Sequence, residues 1–267
     1  MDSVVAEPRA EKQGNQYRIE SLSKGLQLLK LFDENTTSLR LREICDLTGL
    51  PMPSAFRIVS TLEEDGFLER SADGSVKPGV AVLALGSAAL RGSSLVEASE
   101  GPLLHLAEAT GETVNLGVLL EDQVLYLVRL RNSDLVTANV QVGSTLPAVY
   151  TSMGKLLLAY LDPGELDRRI GEPSFIGGGP NAVKDRAQLD VRLAEIRELG
   201  YSIQDQELAQ GLRSVSVPVF VGKSTTPVAA INIAVASQRH TVESLRGPLL
   251  EQARATAAAI GLRLSGS

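Results

Sequence analysis

The chain is poor in the residues that build metal centres, disulfide frameworks and aromatic clusters. Its 267 residues include one cysteine, two histidines and no tryptophan, and only 4% are aromatic. The single cysteine, Cys45, excludes an intramolecular disulfide and is typical of a reducing compartment. His105 and His240 lie far apart in the sequence, which argues against a zinc site built from clustered ligands. We therefore expect neither a metal site nor a cofactor.

Long apolar runs and an excess of basic residues are also missing. The most apolar stretch, residues 79–90, spans about 12 residues, short of the roughly 18 that a membrane helix needs. Residues 1–16 are polar, lack the apolar core of a signal peptide, and are expected to be a disordered lead-in. The net charge of −6 gives no global attraction to nucleic acid, although it does not exclude a local DNA-binding face. These absences predict a cytoplasmic protein with no membrane partner.

The length and the 43% of hydrophobic residues suffice for the cores of two domains. We predict a first domain at residues 17–78, a connector helix at 79–93 and a second domain at 94–267.

Three helices and a hairpin are predicted in the first domain. Apolar residues recur at helical spacing at Leu22, Leu26, Leu29 and Phe32, then at Leu41, Ile44 and Cys45, then at Ala55, Ile58, Val59 and Leu62. Gly49-Leu50-Pro51 predicts a sharp turn before the third helix, and Asp65-Gly66 predicts its end. A hairpin at residues 67–77, with its turn at Ala72-Asp73-Gly74, completes a winged helix-turn-helix.

In this motif, the start of the last helix enters the major groove of double-stranded operator DNA and the hairpin contacts the backbone. Arg57 shares an outward face with Ser54 and Thr61 and can donate two parallel hydrogen bonds to a guanine edge. The predicted DNA contacts are Arg40, Arg42, Pro53, Ser54, Arg57, Thr61, Arg70 and Lys77, of which the arginines at 40, 42 and 70 and the lysine are assigned to phosphates.

A structural or protein-binding role for this unit is the alternative. Residues 17–80 carry eight basic and ten acidic residues, a net charge of −2, whereas DNA-binding domains usually have a basic excess. Glu63, Glu64 and Asp65 cluster at the end of the third helix, away from the groove. We therefore expect a monomer to bind DNA weakly and a dimer, formed through the apolar connector helix, to read two half-sites.

Alternating apolar residues predict antiparallel strands covered on one face in the second domain. The predicted strands are residues 114–120, 124–130, 136–142, 215–221 and 231–235, and the predicted helices are 94–110, 152–161, 163–170, 185–199 and 241–260. Ser94 and Glu97 have the spacing of a capping box at the start of the first of these helices. The fold class is α+β.

Residues 152–155, Ser-Met-Gly-Lys, admit three interpretations. They match the Ser-x-x-Lys of penicillin-binding enzymes, so a metabolic serine enzyme that uses Ser152 and Lys155 on a small acyl substrate is the alternative function, although the companion motifs are missing. A helix N-terminus here also offers N–H groups to a carboxylate, from Thr151, Ser152, Met153 and Gly154. A plain capped helix is the third interpretation.

Small and polar residues on two later strands favour a ligand cavity beside this helix. Ser214 and Ser216 alternate with valines, and Asn232 and Ala234 alternate with isoleucines and a valine. Oriented polar groups among apolar walls are typical of ligand sites. A solvent-facing side of the sheet would give the same alternation.

Several motifs together resemble the IclR family of transcriptional regulators, from about Ile19 to the C-terminus. They are residues 23–26 (SKGL), 49–51 (GLP), 62–67 (LEEDGF), 152–155 (SMGK), 200–201 (GY), 211–214 (GLRS) and 217–219 (VPV). Residues 143–147 (GSTLP), 151–154 (TSMG) and 205–208 (DQEL) most resemble regulators of protocatechuate and 4-hydroxybenzoate catabolism.

The resemblance implies a DNA-binding regulator without catalysis, a homodimer or dimer of dimers, and a GAF-like effector-binding domain at 94–267. By matching position, its effector contacts are Leu135, Ala138, Leu146, Ser152, Met153, Gln204, Leu212, Ser214, Asn232 and Ala234, to which the helix start adds Thr151 and Gly154. Gln204 and Ser214 replace an acidic residue and a cysteine of the glyoxylate-responsive member. This difference favours an aromatic acid or derivative over a short keto-acid.

Overall fold

The computed structural model describes residues 17–33, 36–131, 140–171 and 175–266. The chain divides into two compact units between Ala88 and Ala89, inside the predicted connector. The predicted lead-in at 1–16 and most of the strand predicted at 136–142 lie outside the described residues. The described end of that strand, residues 140–142, is not a strand but leads into a turn at Gly143, where φ is 92°.

The N-terminal unit contains three helices and a two-stranded antiparallel hairpin, in the order predicted for a winged helix-turn-helix. Its elements are α1 (Glu20–Leu29), α2 (Leu41–Thr48), α3 (Met52–Glu64), β1 (Leu68–Arg70) and β2 (Val76–Pro78), and α4 (Val80–Arg91) crosses the boundary between the units. Gly49 has a φ of 69° between α2 and α3. Because residues with a side chain rarely adopt this conformation, the tight turn depends on glycine.

The core of the N-terminal unit differs from the prediction in α1. It comprises Leu28, Leu39, Ile44, Ala55, Val59, Leu68 and Val76. Leu22 and Leu26, two of the four apolar residues whose spacing predicted this helix, are exposed, and Leu28 is buried instead. The sequence Leu26-Gln27-Leu28-Leu29 is apolar on two helix faces, so periodicity alone could not select the buried one.

The C-terminal unit is a six-stranded antiparallel sheet with flanking helices, which confirms the predicted α+β class. Its elements are α5 (Ser94–Thr110), β3 (Thr113–Leu120), β4 (Gln123–Leu130), β5 (Thr145–Pro147), α6 (Ser152–Ala159), α7 (Pro163–Ile170), α8 (Arg186–Leu199), β6 (Ser202–Asp205), β7 (Leu212–Val219), β8 (Ala229–Ala236), α9 (Val242–Leu245) and α10 (Pro248–Ser265). The strand order is β5-β4-β3-β8-β7-β6.

The sheet is covered on both faces, and the prediction of one covered face was wrong. On one face, apolar residues of β3, β7 and β8 form a core with Leu103 and Leu106 of α5 and with Ile260 of α10. On the other face, Val124, Tyr126 and neighbouring apolar residues form a second core with α6, α7 and α8. The polar residues that alternate along these strands are themselves buried. Polar alternation therefore did not mark a solvent-facing side.

Two helix boundaries also differ from the prediction. The cap of α5 is Ser93 rather than Ser94, because the Ser93 hydroxyl accepts the N–H of Val96 at 3.4 Å. The helix predicted at 241–260 is two helices, because α10 begins at Pro248, and proline fits the first turn of a helix but breaks its interior. Among the described residues, no single helix is long and apolar enough to cross a membrane.

Candidate DNA-binding and effector-binding sites

Helix α3 follows the tight turn and is the predicted recognition helix. It buries Ala55 and Val59, so its other half faces outward. All eight residues predicted to contact DNA are exposed: Arg40, Arg42, Pro53, Ser54, Arg57, Thr61, Arg70 and Lys77. The Thr61 hydroxyl donates to the carbonyl of Arg57 at 3.0 Å and keeps acceptor capacity for a partner.

The basic residues of this surface differ in how strongly the protein itself engages them. Arg70 lies 2.6 Å from Glu63 and donates to the carbonyl of Gly74, so an acid at the end of α3 neutralises a wing arginine. Lys77 lies 3.5 Å from Glu69 on the wing. Within the described part of the chain, the guanidinium of Arg57 makes no hydrogen bond or ion pair. Arg57 is therefore available to a base edge.

A cavity of about 140 Å³ lies on the α6 side of the sheet in the C-terminal unit. About 10–15 Å³ of such volume holds one water molecule, so the cavity has room for roughly ten waters, enough for a single-ring acid. Seven predicted effector residues line it: Leu146, Thr151, Gln204, Leu212, Ser214, Asn232 and Ala234. Sequence reasoning missed Asn115, Tyr126, Arg129, Val140, Leu208 and Ala209. Leu135 and Ala138 lie outside the described residues.

Three of the lining residues form a hydrogen-bonded row across β4, β3 and β8. Nη1 of Arg129 donates to Oδ1 of Asn115 at 3.0 Å, and Nδ2 of Asn115 donates to Oδ1 of Asn232 at 2.7 Å. Burial lowers the pKa of Arg129, yet an arginine stays protonated in proteins. Within the described residues, Nδ2 of Asn232 makes no hydrogen bond. The row thus places a cation and oriented amide groups at the cavity, an arrangement that suits an anion.

A β-bulge explains why Arg129 was missed. Gly117 pairs with Tyr126 but Leu116 pairs with Val128, so Leu127 is an extra residue without a partner in β3. This extra residue reverses the alternation of the following positions. Arg129, which strict alternation places opposite Tyr126, therefore shares its cavity-facing side.

The start of α6 is a capped helix, and the predicted role of Gly154 as a donor was wrong. The Thr151 hydroxyl accepts the N–H of Gly154 at 2.9 Å, which uses that donor. A Cβ on Gly154 would lie 2.2 Å from the carbonyl oxygen of Ala148, so only glycine allows this approach. Ser152 and Met153 are fully buried. Of the four predicted residues at the helix start, all of them described, only Thr151 lines the cavity.

The groups of the Ser-x-x-Lys segment are engaged in other interactions. The hydroxyl of Ser152 shares a 2.7 Å hydrogen bond with that of Ser214. The ammonium of Lys155 forms a buried ion pair with the carboxylate of Glu207. Burial lowers the pKa of Lys155, and Glu207 opposes that shift. Among the residues that the structure describes, this geometry gives Ser152 no base of the kind a nucleophilic serine needs.

Glu207 also begins the wall that closes one side of the cavity. In the amide orientation that satisfies both of its polar atoms, Gln204 accepts the N–H groups of Glu207 and Leu208 at 2.9 and 2.8 Å and donates to the carbonyl of Leu212 at 3.3 Å. Together with Lys155, Gln204 holds residues 207–212 in place. This segment contributes Leu208, Ala209 and Leu212 to the cavity lining.

A winged helix-turn-helix and a separate domain with a ligand-sized cavity, in one chain, define a ligand-responsive DNA-binding regulator. The chain belongs to the IclR family: residues 21–72 match the model of the IclR helix-turn-helix domain, and residues 87–262 match that of the bacterial transcriptional regulator IclR C-terminal domain. Because the members of this family are transcriptional regulators, the protein is a regulator and not a serine enzyme.

Individual relatives match most of the chain. The Pca regulon regulatory protein of Pseudomonas putida is 30% identical over 249 residues, which cover 91% of this chain and 84% of that protein. The HTH-type transcriptional regulator XynR of Escherichia coli is 28% identical over 222 residues, covering 83% and 88%. The structure of an IclR homolog from Microbacterium hydrocarbonoxydans, complexed with 4-hydroxybenzoate, matches with a TM-score of 0.72 at 27% identity and covers 92% of this chain and 100% of its own.

Proposed function

We propose that the protein controls genes of aromatic-acid catabolism and that a small aromatic carboxylate, bound in the cavity of the C-terminal unit, changes its affinity for operator DNA. The observation that carries this proposal is the row from Arg129 through Asn115 to Asn232. The carboxylate binds the guanidinium of Arg129 and the amide hydrogens of Asn232. Charge-assisted hydrogen bonds of this kind are about twice as strong as neutral ones.

The rest of the lining suits a flat ring better than a short keto-acid. Tyr126, Leu146, Leu208 and Leu212 provide the apolar walls. The hydroxyls of Thr151 and Ser214, which both line the cavity, supply polar groups for a ring substituent. A pocket with few oriented polar groups among apolar walls selects its ligands by shape as well as by charge.

Two relatives support the aromatic assignment. The IclR homolog from Microbacterium hydrocarbonoxydans binds 4-hydroxybenzoate, and the Pseudomonas putida relative is named for the Pca regulon. The effector acts on DNA binding by binding more tightly to one of two states of the protein, since only differential affinity shifts an equilibrium.

We further infer that the operator-binding species is a homodimer or a dimer of dimers. Helix α4 is strongly apolar, none of its residues is buried, and Val80, Leu83 and Leu85 are exposed. A helix that is apolar all round requires a covering surface. A second copy provides it and brings two recognition helices to two half-sites.

Thermal unfolding with added ligands tests the effector assignment. A ligand at 100 times its dissociation constant adds about 2.7 kcal/mol to the free energy of unfolding, so binding raises Tm measurably. We expect 4-hydroxybenzoate to raise Tm, and its methyl ester and pyruvate to have much smaller effects. The variant Arg129→Gln should bind 4-hydroxybenzoate roughly 10- to 150-fold more weakly, which corresponds to the loss of a charged hydrogen bond.

Arg131→Gln is the matched control, because Arg131 is an exposed arginine two residues further along the chain that does not line the cavity. It should keep the wild-type response to 4-hydroxybenzoate. An equal loss in both variants would show that only the local positive charge matters. A wild-type protein that responds to none of several hydroxylated benzoates would overturn the proposed effector class.

A further inference from the structure

One aromatic residue on the predicted recognition helix, α3, is largely exposed. The chain has five phenylalanines, and the other four are half-buried, whereas Phe56 is 54% exposed. Met52, one helical turn earlier, is 46% exposed. Its sulfur lies 3.8 Å from Sγ of Cys45 on α2, which places the two residues in contact. Together, Met52 and Phe56 form an apolar edge on a helix assigned to DNA.

Helix geometry places this apolar edge beside Arg57. Successive residues differ by about 100° around a helix axis, so Met52 and Phe56 lie along one border of the outward half of α3. Ser54 and Thr61 lie along the opposite border, and Arg57 lies between the two. A helix docked in a groove presents these borders to different base pairs.

The major groove offers one apolar feature to such an edge. Its base edges carry hydrogen-bond donors and acceptors, except for the C5-methyl group of thymine. A phenyl ring cannot read the donors and acceptors, but it gains by burying a methyl group. We propose that Phe56, supported by Met52, contacts the C5-methyl group of a thymine in each operator half-site. Phe56 thereby specifies a T·A pair next to the base pair that Arg57 contacts.

Deoxyuridine differs from thymidine only in lacking this methyl group, so it isolates the proposed contact. Duplexes that bind the full-length wild-type protein are first selected from a random library. Each thymine of the selected half-sites is then replaced, one position at a time, by deoxyuridine. At one thymine of each half-site, the replacement should weaken binding by the wild type roughly fourfold, the value for one buried methyl group.

Two variants and a control identify the protein side of the contact. Phe56→Ala should bind the thymine and deoxyuridine duplexes with equal affinity at that position, and Phe56→Leu should keep most of the wild-type ratio. Leu22→Ala removes an exposed apolar side chain from α1 and should keep the full ratio, whatever its absolute affinity.

Three results would overturn the proposal. The first is a selected half-site without thymine. The second is a wild-type protein that binds both duplexes equally at every position. The third is a Phe56→Ala variant that keeps the wild-type ratio. None of these results depends on an effector, and each can occur with Arg57 still required for binding, so the DNA-binding function is tested separately.

Discussion

Replacement of Lys155 by methionine should destabilise the C-terminal unit by about 3–5 kcal/mol, the usual cost of removing one partner of a buried ion pair. The side chains of Lys155 and Glu207 are 1% and 8% exposed. Without the ammonium group, the carboxylate of Glu207 stays buried without its counter-charge, or takes up a proton at a free-energy cost. Urea unfolding of the full chain, followed by circular dichroism, measures the change.

Two further variants separate the destabilising effect of an unpaired buried charge from the effect of losing a side chain. The double variant Lys155→Met/Glu207→Leu should recover much of the loss, because apolar residues of similar volume often replace a buried ion pair at little cost. Arg192→Met breaks the exposed pair with Glu195 and should change the free energy of unfolding by no more than about 1 kcal/mol. If Lys155→Met and Arg192→Met had equal effects, the buried pair would have no special role.

The ion pair also has a consequence for ligand binding. Glu207 anchors residues 207–212, which contribute Leu208, Ala209 and Leu212 to the cavity lining. Loss of Lys155 should therefore loosen one wall of the cavity in addition to lowering stability. The double variant, with its stability restored, isolates this second effect on effector affinity.

Arg57→Ala should weaken operator binding by about 1–3 kcal/mol for each half-site, which corresponds to a roughly 5- to 150-fold loss of affinity per half-site. The guanidinium of Arg57 is exposed, lies on the outward face of α3, and has no hydrogen bond or ion pair within the described residues. Two parallel hydrogen bonds to a guanine are the commonest base-specific contact of an arginine. Fluorescence anisotropy with a labelled duplex measures the loss.

The pattern of the loss distinguishes a base contact from a phosphate contact. Arg57→Ala should relax specificity at one base pair and leave the Tm response to 4-hydroxybenzoate unchanged. Arg42→Ala, a predicted phosphate contact, should weaken binding to all duplexes alike and reduce the slope of log K against log salt by about 1. Wild-type operator affinity in Arg57→Ala would refute the assignment of this residue.

The elements with strong local signals could be predicted from the sequence. Gly49 and Asp65-Gly66 delimit α3, and Asp162 caps α7 by accepting the N–H of Glu165 at 2.9 Å. These signals act within a few residues and depend little on the rest of the fold. The helix-turn-helix was therefore predicted from these signals, while alternation predicted β3, β4, β7 and β8 but not the short strands β5 and β6.

The lining of the cavity could be predicted only in part, because its composition depends on the pairing of residues that are distant in the sequence. Arg129 reaches the cavity through a bulge in β4 opposite Gly117, and a glycine inside a strand is the sequence sign that could have indicated it. Glu207 and Lys155 meet although 52 positions separate them. Asn115 and Asn232 are joined by the pairing of β3 with β8. Six lining residues were found by family resemblance and Thr151 from the predicted helix start, whereas placing Arg129 and Asn115 beside Asn232 required the sheet register.

One titration measures directly whether effector binding changes the affinity for operator DNA. The labelled operator duplex is titrated with wild-type protein and with Arg129→Gln, with and without 4-hydroxybenzoate. For the wild type, we expect a shift in operator affinity of roughly 5- to 150-fold, the range of typical allosteric coupling. Arg129→Gln should bind the operator normally but require at least about 10-fold more ligand for the same shift. If the wild-type affinity were the same with and without every aromatic carboxylate, or responded equally to the uncharged methyl ester, a carboxylate bound in the cavity would not control operator binding.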